Sequence, residues 1–316
     1  MDDKDRRKGY YEDVTTTFVK HAFHTRFFLS RLTRKSRIAK KIIDKILFED
    51  DEVYVLPNKK SINKTITTNI EINQSFQKDD SEFVPSQIIK EVIKEAEDIV
   101  IMHKCLCRSS ANCQDYPQDF GCIFIGPASR KIASKYGRSA TVEEALAHVD
   151  KADELGLSHV IGRNKIDSVW MNVRPKEELL TICHCCPCCC LWKVLPDLDD
   201  EISNKVKRLE DVEVHTVNEN CKMCRRCLGD DICFGNAIYL EDGKITIDQD
   251  KCVGCGHCVQ TCKYDAIELN YSQKSIDFTG FLAVFISYRS DYILYCSLFL
   301  FVLYSGHHLR GGPFYG

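Results

Sequence analysis

The sequence predicts an α+β protein in which a mixed α/β cysteine-rich domain precedes a small domain built on a cysteine repeat. Three observations carry this. Residues 221–262 hold two similar cysteine loops, separated by an alternating stretch around Asp242-Gly243 that reads as a β-hairpin. Residues 85–195 interleave helix-period and strand-like apolar runs with ten cysteines. The chain carries 19 cysteines in 316 residues, far more than packing requires.

So many thiols serve either a secreted disulfide scaffold or metal ligation. The opening run Met1-Asp2-Asp3-Lys4-Asp5-Arg6-Arg7-Lys8 is charged with no apolar core behind it, so no secretory signal is read there. The expectation is a cytoplasmic protein in a reducing compartment. The cysteines are odd in number and grouped at ligand spacings, which favours metal over disulfides. A net charge of −3 gives no general reason to expect nucleic acid as a partner.

Four regions follow from composition: residues 1–84, helical and polar; 85–200, the cysteine-rich α/β domain; 212–272, the repeat domain; and 273–316, an apolar tail. In the first, Ile38, Ile42, Ile43 and Ile46 recur at helical spacing beside a basic stretch from Arg31 to Lys41. This reads as a solvated cationic face over a small core, with docking to an acidic partner or anionic lipid as the alternative. A polar, linker-like stretch runs from about residue 58 to 82 and holds Asn63, Asn69, Asn73 and Gln74.

The second region opens with a helix from Pro85 whose apolar face is Ile88, Ile89, Val92, Ile93 and Ala96. Ile99 to Ile101 form a short strand leading to Cys105. A second helix begins at Thr141 with Glu144 completing a capping box, carries Ala145, Leu146, Val149, Ala152 and Leu155 inward, and ends at Gly156. Leu157 to Ile161 and Ser168 to Val173 read as strands.

The third region is Cys221-x2-Cys224-x2-Cys227-x5-Cys233 followed by Cys252-x2-Cys255-x2-Cys258-x3-Cys262. Cys221, Cys224 and Cys227 recur 31 residues later, and Asn236-Ala237-Ile238 recurs as Asp265-Ala266-Ile267. A cubane iron–sulfur cluster needs four inward thiolates from a tight loop whose amides also face its sulfurs, and a triple-cysteine loop plus one distant cysteine meets that need. Four-cysteine sites also hold zinc, but the doubled loops disfavour it here.

These motifs resemble the bacterial-type dicluster ferredoxins over about a fifth of the chain. The resemblance implies a ferredoxin-like domain with two [4Fe–4S] clusters that accept and pass single electrons at low potential. It implies Cys221, Cys224, Cys227 and Cys262 on one cluster and Cys252, Cys255, Cys258 and Cys233 on the other. Two departures stand out: x5 replaces the usual x3 before Cys233, and Phe234 and Lys263 replace the proline that follows each fourth cysteine. The longer loop bears on the geometry around Cys233.

The ten cysteines of the second region are Cys105, Cys107, Cys113 and Cys122, then Cys183, Cys185, Cys186, Cys188, Cys189 and Cys190, with His184 among them. Read as a strand, the second segment puts Cys183, Cys185 and Cys189 on one side and Cys186, Cys188 and Cys190 nearer the other. Three readings stand: a third Fe–S cluster, a zinc or other structural metal site, or redox-active thiols. The cysteine-rich domain of heterodisulfide reductases also pairs vicinal with distant cysteines, but its repeat pattern is missing here.

The arrangement from about residue 85 to 270 is also similar to uncharacterised ferredoxin-fusion proteins of anaerobes. The matching stretches are Cys105-Leu106-Cys107-Arg108, Tyr116-Pro117, Gly121-Cys122, Glu143-Glu144-Ala145-Leu146, Gly156-Leu157-Ser158-His159 and Ile182 to Cys190. That likeness implies a redox role without a defined reaction.

His103, His159 and His184 lie near the thiols; a histidine is more often a hydrogen-bonded side chain than a ligand, and His184 is the best ligand candidate of the three. Arg108 reads as a charge near a cluster or as a solvated side chain. Gly121 to Gly126 lacks a phosphate-binding fingerprint, and no Rossmann motif or P-loop supports a nucleotide. In the tail, the longest apolar run, Tyr292 to Tyr304, has 13 residues. That is short of the ~20 that span a bilayer. A longer span would bury Arg289 and Asp291 at about 2.5–3.5 kcal/mol each, so membrane contact through the tail is disfavoured. The expected function is electron transfer with a redox partner protein. The alternatives are a reductase component with a catalytic centre at the middle cysteines, and a redox-sensing or docking module.

Overall fold

Side-chain hydrogen bonds, more than apolar runs, decide where several elements begin and end. The computed structural model describes residues 10–62, 64–66, 85–210 and 212–272. The apolar tail and most of the polar stretch between 67 and 84 lie outside the described residues.

The N-terminal region folds into α1 (Tyr10–Ala22), α2 (Arg26–Lys35) and α3 (Arg37–Leu47), then β1 (Glu52–Leu56) and β2 (Lys64–Ile66). Helix α3 starts where the Ser36 hydroxyl accepts a hydrogen bond from the Ala39 amide. Its isoleucines divide: Ile43 packs on the core around Phe48, Val53 and Trp192, whereas Ile38, Ile42 and Ile46 are 75%, 53% and 52% exposed. The linker-like reading fails for residues 58–62 and 64–66, while Asn63, Asn69, Asn73 and Gln74 lie outside the described residues. Asn58 is fully buried, and its side-chain amide donates to the Asp153 carbonyl and carboxylate and to the Leu157 carbonyl. A polar residue that satisfies backbone groups at a distance looks like linker in the sequence and acts as a staple in the fold.

Next come α4 (Pro85–Lys94), β3 (Ile99–Met102), α5 (Leu106–Ser110), β4 (Ile123–Ile125), β5 (Gly137–Ser139), α6 (Val142–Glu154), β6 (Ser158–Arg163), α7 (Lys165–Trp170), β7 (Leu180–Cys185), α8 (Asp200–Ser203) and β8 (Val206–Arg208). The first helix, the Ile99 strand and the Thr141 helix stand where expected. The α6 capping box is complete, with Glu144 N–H to Thr141 Oγ1 at 3.2 Å and Thr141 N–H to Glu144 Oε2 at 2.9 Å. Residues 168–173 correct the expectation of a strand, because residues 165–170 form α7. The buried Asp167 carboxylate accepts from the Trp170 indole, Asn164 and Thr181 at 3.1, 3.2 and 2.8 Å, closing a helical turn that apolar alternation does not reveal.

Seven strands form one sheet in the order β5-β3-β4-β7-β6-β1-β8, antiparallel except for the parallel β1/β8 pair. Strand β7 is central: Ile182 pairs with Ile123 on one side and Ile161 on the other. The third region supplies β9 (Val212–Thr216), β10 (Ile238–Glu241), β11 (Lys244–Ile247), α9 (His257–Thr261) and β12 (Ile267–Ser272). The expected hairpin is β10/β11, turned by Asp242 and Gly243 at φ 48° and 74°, the positive-φ pair that a tight two-residue turn requires. Strand β12 pairs with β9 and, in parallel, with β2. The N-terminal region thus gives one strand to each larger sheet, and the described residues belong to one compact unit. No helix among the described residues is long and apolar enough to cross a membrane.

Candidate iron–sulfur and thiolate centres

The two cysteine loops of the third region repeat in backbone conformation as well as in sequence. In the first loop, Met223 and Arg225 have φ of 52° and 58°; in the second, the matching Gly254 and Gly256 have 70° and 77°. Asn236 and Asp265, the next repeat pair, are both at 49°. Alternating left-handed residues turn successive amides and thiols toward one point. The Met223 amide donates to Cys221 Sγ at 3.4 Å, as the Gly254 amide does to Cys252. Ala237 N–H donates to Cys233 Sγ at 3.2 Å and Ala266 N–H to Cys262 Sγ at 3.4 Å.

The fourth cysteine of each loop crosses over. Cys221, Cys224, Cys227 and Cys262 line one small recess, closed by Ile245, Ala266 and Ile267. Burial, then Cys262, Cys221 and Cys224, push the Cys227 thiol up to about 11. Cys233 joins the other loop: burial first, and then Cys233 and Cys252, raise the Cys255 thiol, and the same neighbours with Cys255 raise Cys258. The two extra residues before Cys233 are taken up in a turn, Ile232 N–H to the Gly229 carbonyl at 3.1 Å, and Cys233 keeps its place. Four soft thiolates with amides aimed at the sulfurs fit a [4Fe–4S] group in both quartets.

The second quartet sits against the middle region. His257, between Cys255 and Cys258, is buried, and burial draws its pKa down to about 4 against a hydrogen bond to the Cys185 carbonyl. Its Nε2 lies 3.1 Å from Ser158 Oγ, and that hydroxyl donates to the same carbonyl at 3.3 Å. Phe234 is fully buried, packs edge-on to His257 at 5.2 Å, and shares a core with Cys185, Cys190, Trp192 and Cys255. Phe234, which stands where dicluster ferredoxins carry a proline, therefore plugs the two regions together, a signal visible in the sequence as a large apolar residue at a turn. In contrast, Cys224 of the first quartet is exposed, with Lys222, Arg225 and Arg226 around it.

The ten middle cysteines divide into two groups. Cys113, Cys186, Cys188 and Cys189 have sulfurs that all lie within 4.8 Å of one another, with Cys113 and Cys188 at 3.6 Å. With Zn–S near 2.3 Å, a tetrahedral tetrathiolate has S···S edges of about 3.8 Å, so this group matches the size of a site for one ion. A hydrogen bond from Cys188 is the main reason the Cys186 thiol falls to about 6, while burial pushes Cys189 up to about 12. The other six, Cys105, Cys107, Cys122, Cys183, Cys185 and Cys190, line an apolar cavity of about 330 Å³. Strand β7 ends at Cys185, and residues 187–189 turn, so Cys190 joins Cys183 and Cys185 while Cys189 joins Cys186 and Cys188. This corrects the strand reading, which had those two cysteines on the opposite sides.

Arg108 is 1% exposed and lies between the groups. It donates to the carbonyls of Pro117 and His184, each at 2.8 Å, and of Phe120, so it clasps both cysteine segments. Its pKa is raised because Cys105, Cys186, Cys122 and Cys185 outweigh burial. His184 belongs to neither thiol group. Its Nδ1 lies 3.0 Å from that of His159, whose Nε2 meets Asp153 Oδ1 at 3.2 Å. Burial, then His159, His148 and Arg108, hold His184 well below its usual pKa. His103 is exposed and reaches the Ser134 carbonyl.

A 4Fe–4S binding domain matches residues 245–268, which contain the second triple-cysteine loop and Cys262. The chain is 26% identical over 95 residues to an uncharacterised ferredoxin of Methanocaldococcus jannaschii, covering 30% of this chain and 58% of that one. It is 33% identical over 54 residues to a ferredoxin of Rickettsia felis, 17% of this chain and 50% of that. It is 46% identical over 37 residues to one of the subunits of tetrathionate reductase from Salmonella typhimurium, 12% and 15% of the two chains. Each match spans less than two thirds of the relative. No solved structure matches the chain. The chain thus carries a ferredoxin-type iron–sulfur module, and such modules occur in both free ferredoxins and subunits of reductases.

Proposed function

We propose that this chain is a cytoplasmic iron–sulfur electron-transfer protein with two [4Fe–4S] clusters, working as an oxidoreductase component beside a redox partner protein. Cys221, Cys224, Cys227 and Cys262 hold one cluster; Cys233, Cys252, Cys255 and Cys258 hold the other. Cys113, Cys186, Cys188 and Cys189 hold one tetrahedral ion, zinc by donor set and size. Residues 212–272 act as the ferredoxin domain, and residues 85–200 as the cysteine-rich domain it serves.

The observation that carries the reading is the doubled loop, in which sequence, left-handed residues and amide-to-sulfur hydrogen bonds repeat together. A [4Fe–4S] group held there takes up and releases one electron at a time. The protein's own part is to fix eight thiolates, donate amides to them and exclude water. The first quartet is placed to meet the partner, since Cys224 is exposed among Lys222, Arg225 and Arg226, a rim that suits an acidic surface. The second quartet is seated by His257 and Phe234 on the middle thiols. Similarity to modules of named reductase subunits supports the oxidoreductase setting.

The test uses Cys224→Ala and Cys255→Ala in the full chain, purified without oxygen. Each variant is expected to lose about four irons and keep the other quartet's electron paramagnetic resonance (EPR) signal. Wild-type iron in either variant would refute that ligand set.

A further inference from the structure

Among the described residues, six cysteines stand outside the three quartets, and they are not scattered. Cys105, Cys107 and Cys122 line one cavity. Cys122 and Cys183 are 3.2 Å apart across β4 and β7. Cys183, Cys185 and Cys190 line the same cavity. The six thiols thus surround one cavity as a loose ring. Among the described residues only the Cys113 group has all its sulfurs within 4.8 Å of one another, so the ring is wider than a one-ion site.

The ring's surroundings disfavour six free thiols. Its wall is apolar, with Val19, Phe23, Leu106, Phe124, Trp170 and Trp192 about the cavity. Two guanidinium groups are at hand: Arg26 lines the cavity with its guanidinium over the Phe23 and Phe27 rings at 3.8 and 4.2 Å, and the buried Arg108 clasps the cysteine segments. Arg108 acts on Cys105, Cys122 and Cys185. Arg26 acts on Cys107 and Cys190, and its buried Nε has no hydrogen-bond partner among the described residues. Cations placed against sulfur in an apolar wall suit a thiolate-rich centre with net negative charge. Cys185 is also the residue whose carbonyl binds Ser158 and His257, so the ring stands next to the second ferredoxin quartet.

We propose that Cys105, Cys107, Cys122, Cys183, Cys185 and Cys190 hold a polynuclear iron–sulfur centre, separate from the ferredoxin quartets and from the Cys113 ion, with one side open to a cavity that admits a small apolar molecule bearing a soft donor atom. Six soft thiolates select iron–sulfur over hard cations, and a ring too wide for one ion calls for more than one iron. The cavity gives such a molecule about 330 Å³ of largely apolar space beside the sulfurs. The ring does not depend on the ferredoxin assignment, because its ligands are different residues and the two fail in different variants.

The test is iron, acid-labile sulfide and zinc per chain in the full-length protein purified without oxygen, for wild type, Cys183→Ser/Cys185→Ser and Cys107→Ser. Both ring variants are expected to lose two or more irons while keeping zinc and the EPR signals of the two ferredoxin quartets. Cys107 lies on α5, away from the His257 seat, so its variant reads the ring even where the β7 change disturbs folding. Wild-type iron in Cys107→Ser would overturn the proposal and leave the pair at 3.2 Å as a disulfide-forming couple. Parallel loss of zinc and iron would overturn it too, in favour of one shared ten-thiol centre. Ethyl isocyanide, small and apolar with a soft carbon donor, is expected to change the absorption of reduced wild type and not of Cys107→Ser. No change in wild type would overturn the open side.

Discussion

In the ferredoxin lobe sulfurs stand beside backbone amides, whereas in the middle region sulfurs stand beside one another. Cys233 and Cys262 each receive the amide four residues on, and left-handed residues between the cysteines aim the loop. The middle thiols meet across strands and turns: Cys122 with Cys183, Cys113 with Cys188. A local loop can make a ligand set from its own backbone and so leaves a spacing motif. A set assembled from β4, α5 and the end of β7 has its geometry in the sheet register instead. The middle region therefore leans on tertiary clasps, of which Arg108 is the chief.

The largest effect that separates the two regions is expected from Arg108→Met. It strips three carbonyls, that of His184 buried and those of Pro117 and Phe120 partly so, of a charged donor, and should cost about 3–5 kcal/mol in denaturant unfolding. Zinc should be lost and the ferredoxin EPR signals kept. Retention of zinc with a cost under about 1 kcal/mol would show that the clasp is not needed.

Phe234→Ala tests the seam between the regions. Emptying a fully buried aromatic site should cost about 3–5 kcal/mol. Phe234→Pro, which restores the repeat's usual residue, should destabilise as well, because it vacates the same pocket. A neutral Phe234→Pro would mean that the ferredoxin lobe does not depend on its seat.

A smaller effect concerns Asp51, near the start of β1. Burial raises its pKa to about 6, against the hydrogen bond from Lys176. A raised folded-state pKa favours the fold below the unfolded value and is lost as pH rises through the folded one. Unfolding measured from about pH 4 to 7.5 should therefore show wild type losing stability relative to Asp51→Asn as pH rises, the loss levelling off above about 6. Parallel curves would contradict the shift.

The smallest effect compares the two ferredoxin loops. Met223 and Arg225 adopt left-handed backbone where the second loop uses glycine, a conformation that disfavours side chains by about 1–2 kcal/mol. Met223→Gly should raise stability by about 1 kcal/mol without changing iron content. The reverse change, Gly254→Met, should do harm, since a Cβ there would lie 2.9 Å from Arg208 Cγ and Val212 Cγ1.

The legible parts of the sequence were those written locally. The Thr141–Glu144 cap, the Asp242-Gly243 hairpin and the doubled loops each need only near neighbours, and each stands where expected. Residues governed by distant partners misled. Asn58 looked like linker because Asp153 and Leu157, which bind it, are about 95 residues away. Residues 168–173 looked like strand because the Asp167 hydrogen bonds carry no apolar signature. The division of Cys189 from Cys190 turned on where β7 ends, a matter of one or two residues. The exposed Ile38, Ile42 and Ile46 show the same limit: periodicity gave the helix, and packing chose which of its apolar residues to cover.

The central claim is that the chain carries two ferredoxin quartets and two further centres in the middle region. Metal and sulfide analysis of the anaerobically purified full chain tests it most directly. The account predicts iron clearly above 8 per chain, from two four-iron clusters plus the six-thiol ring, together with one zinc. Iron at or below 8 would contradict it.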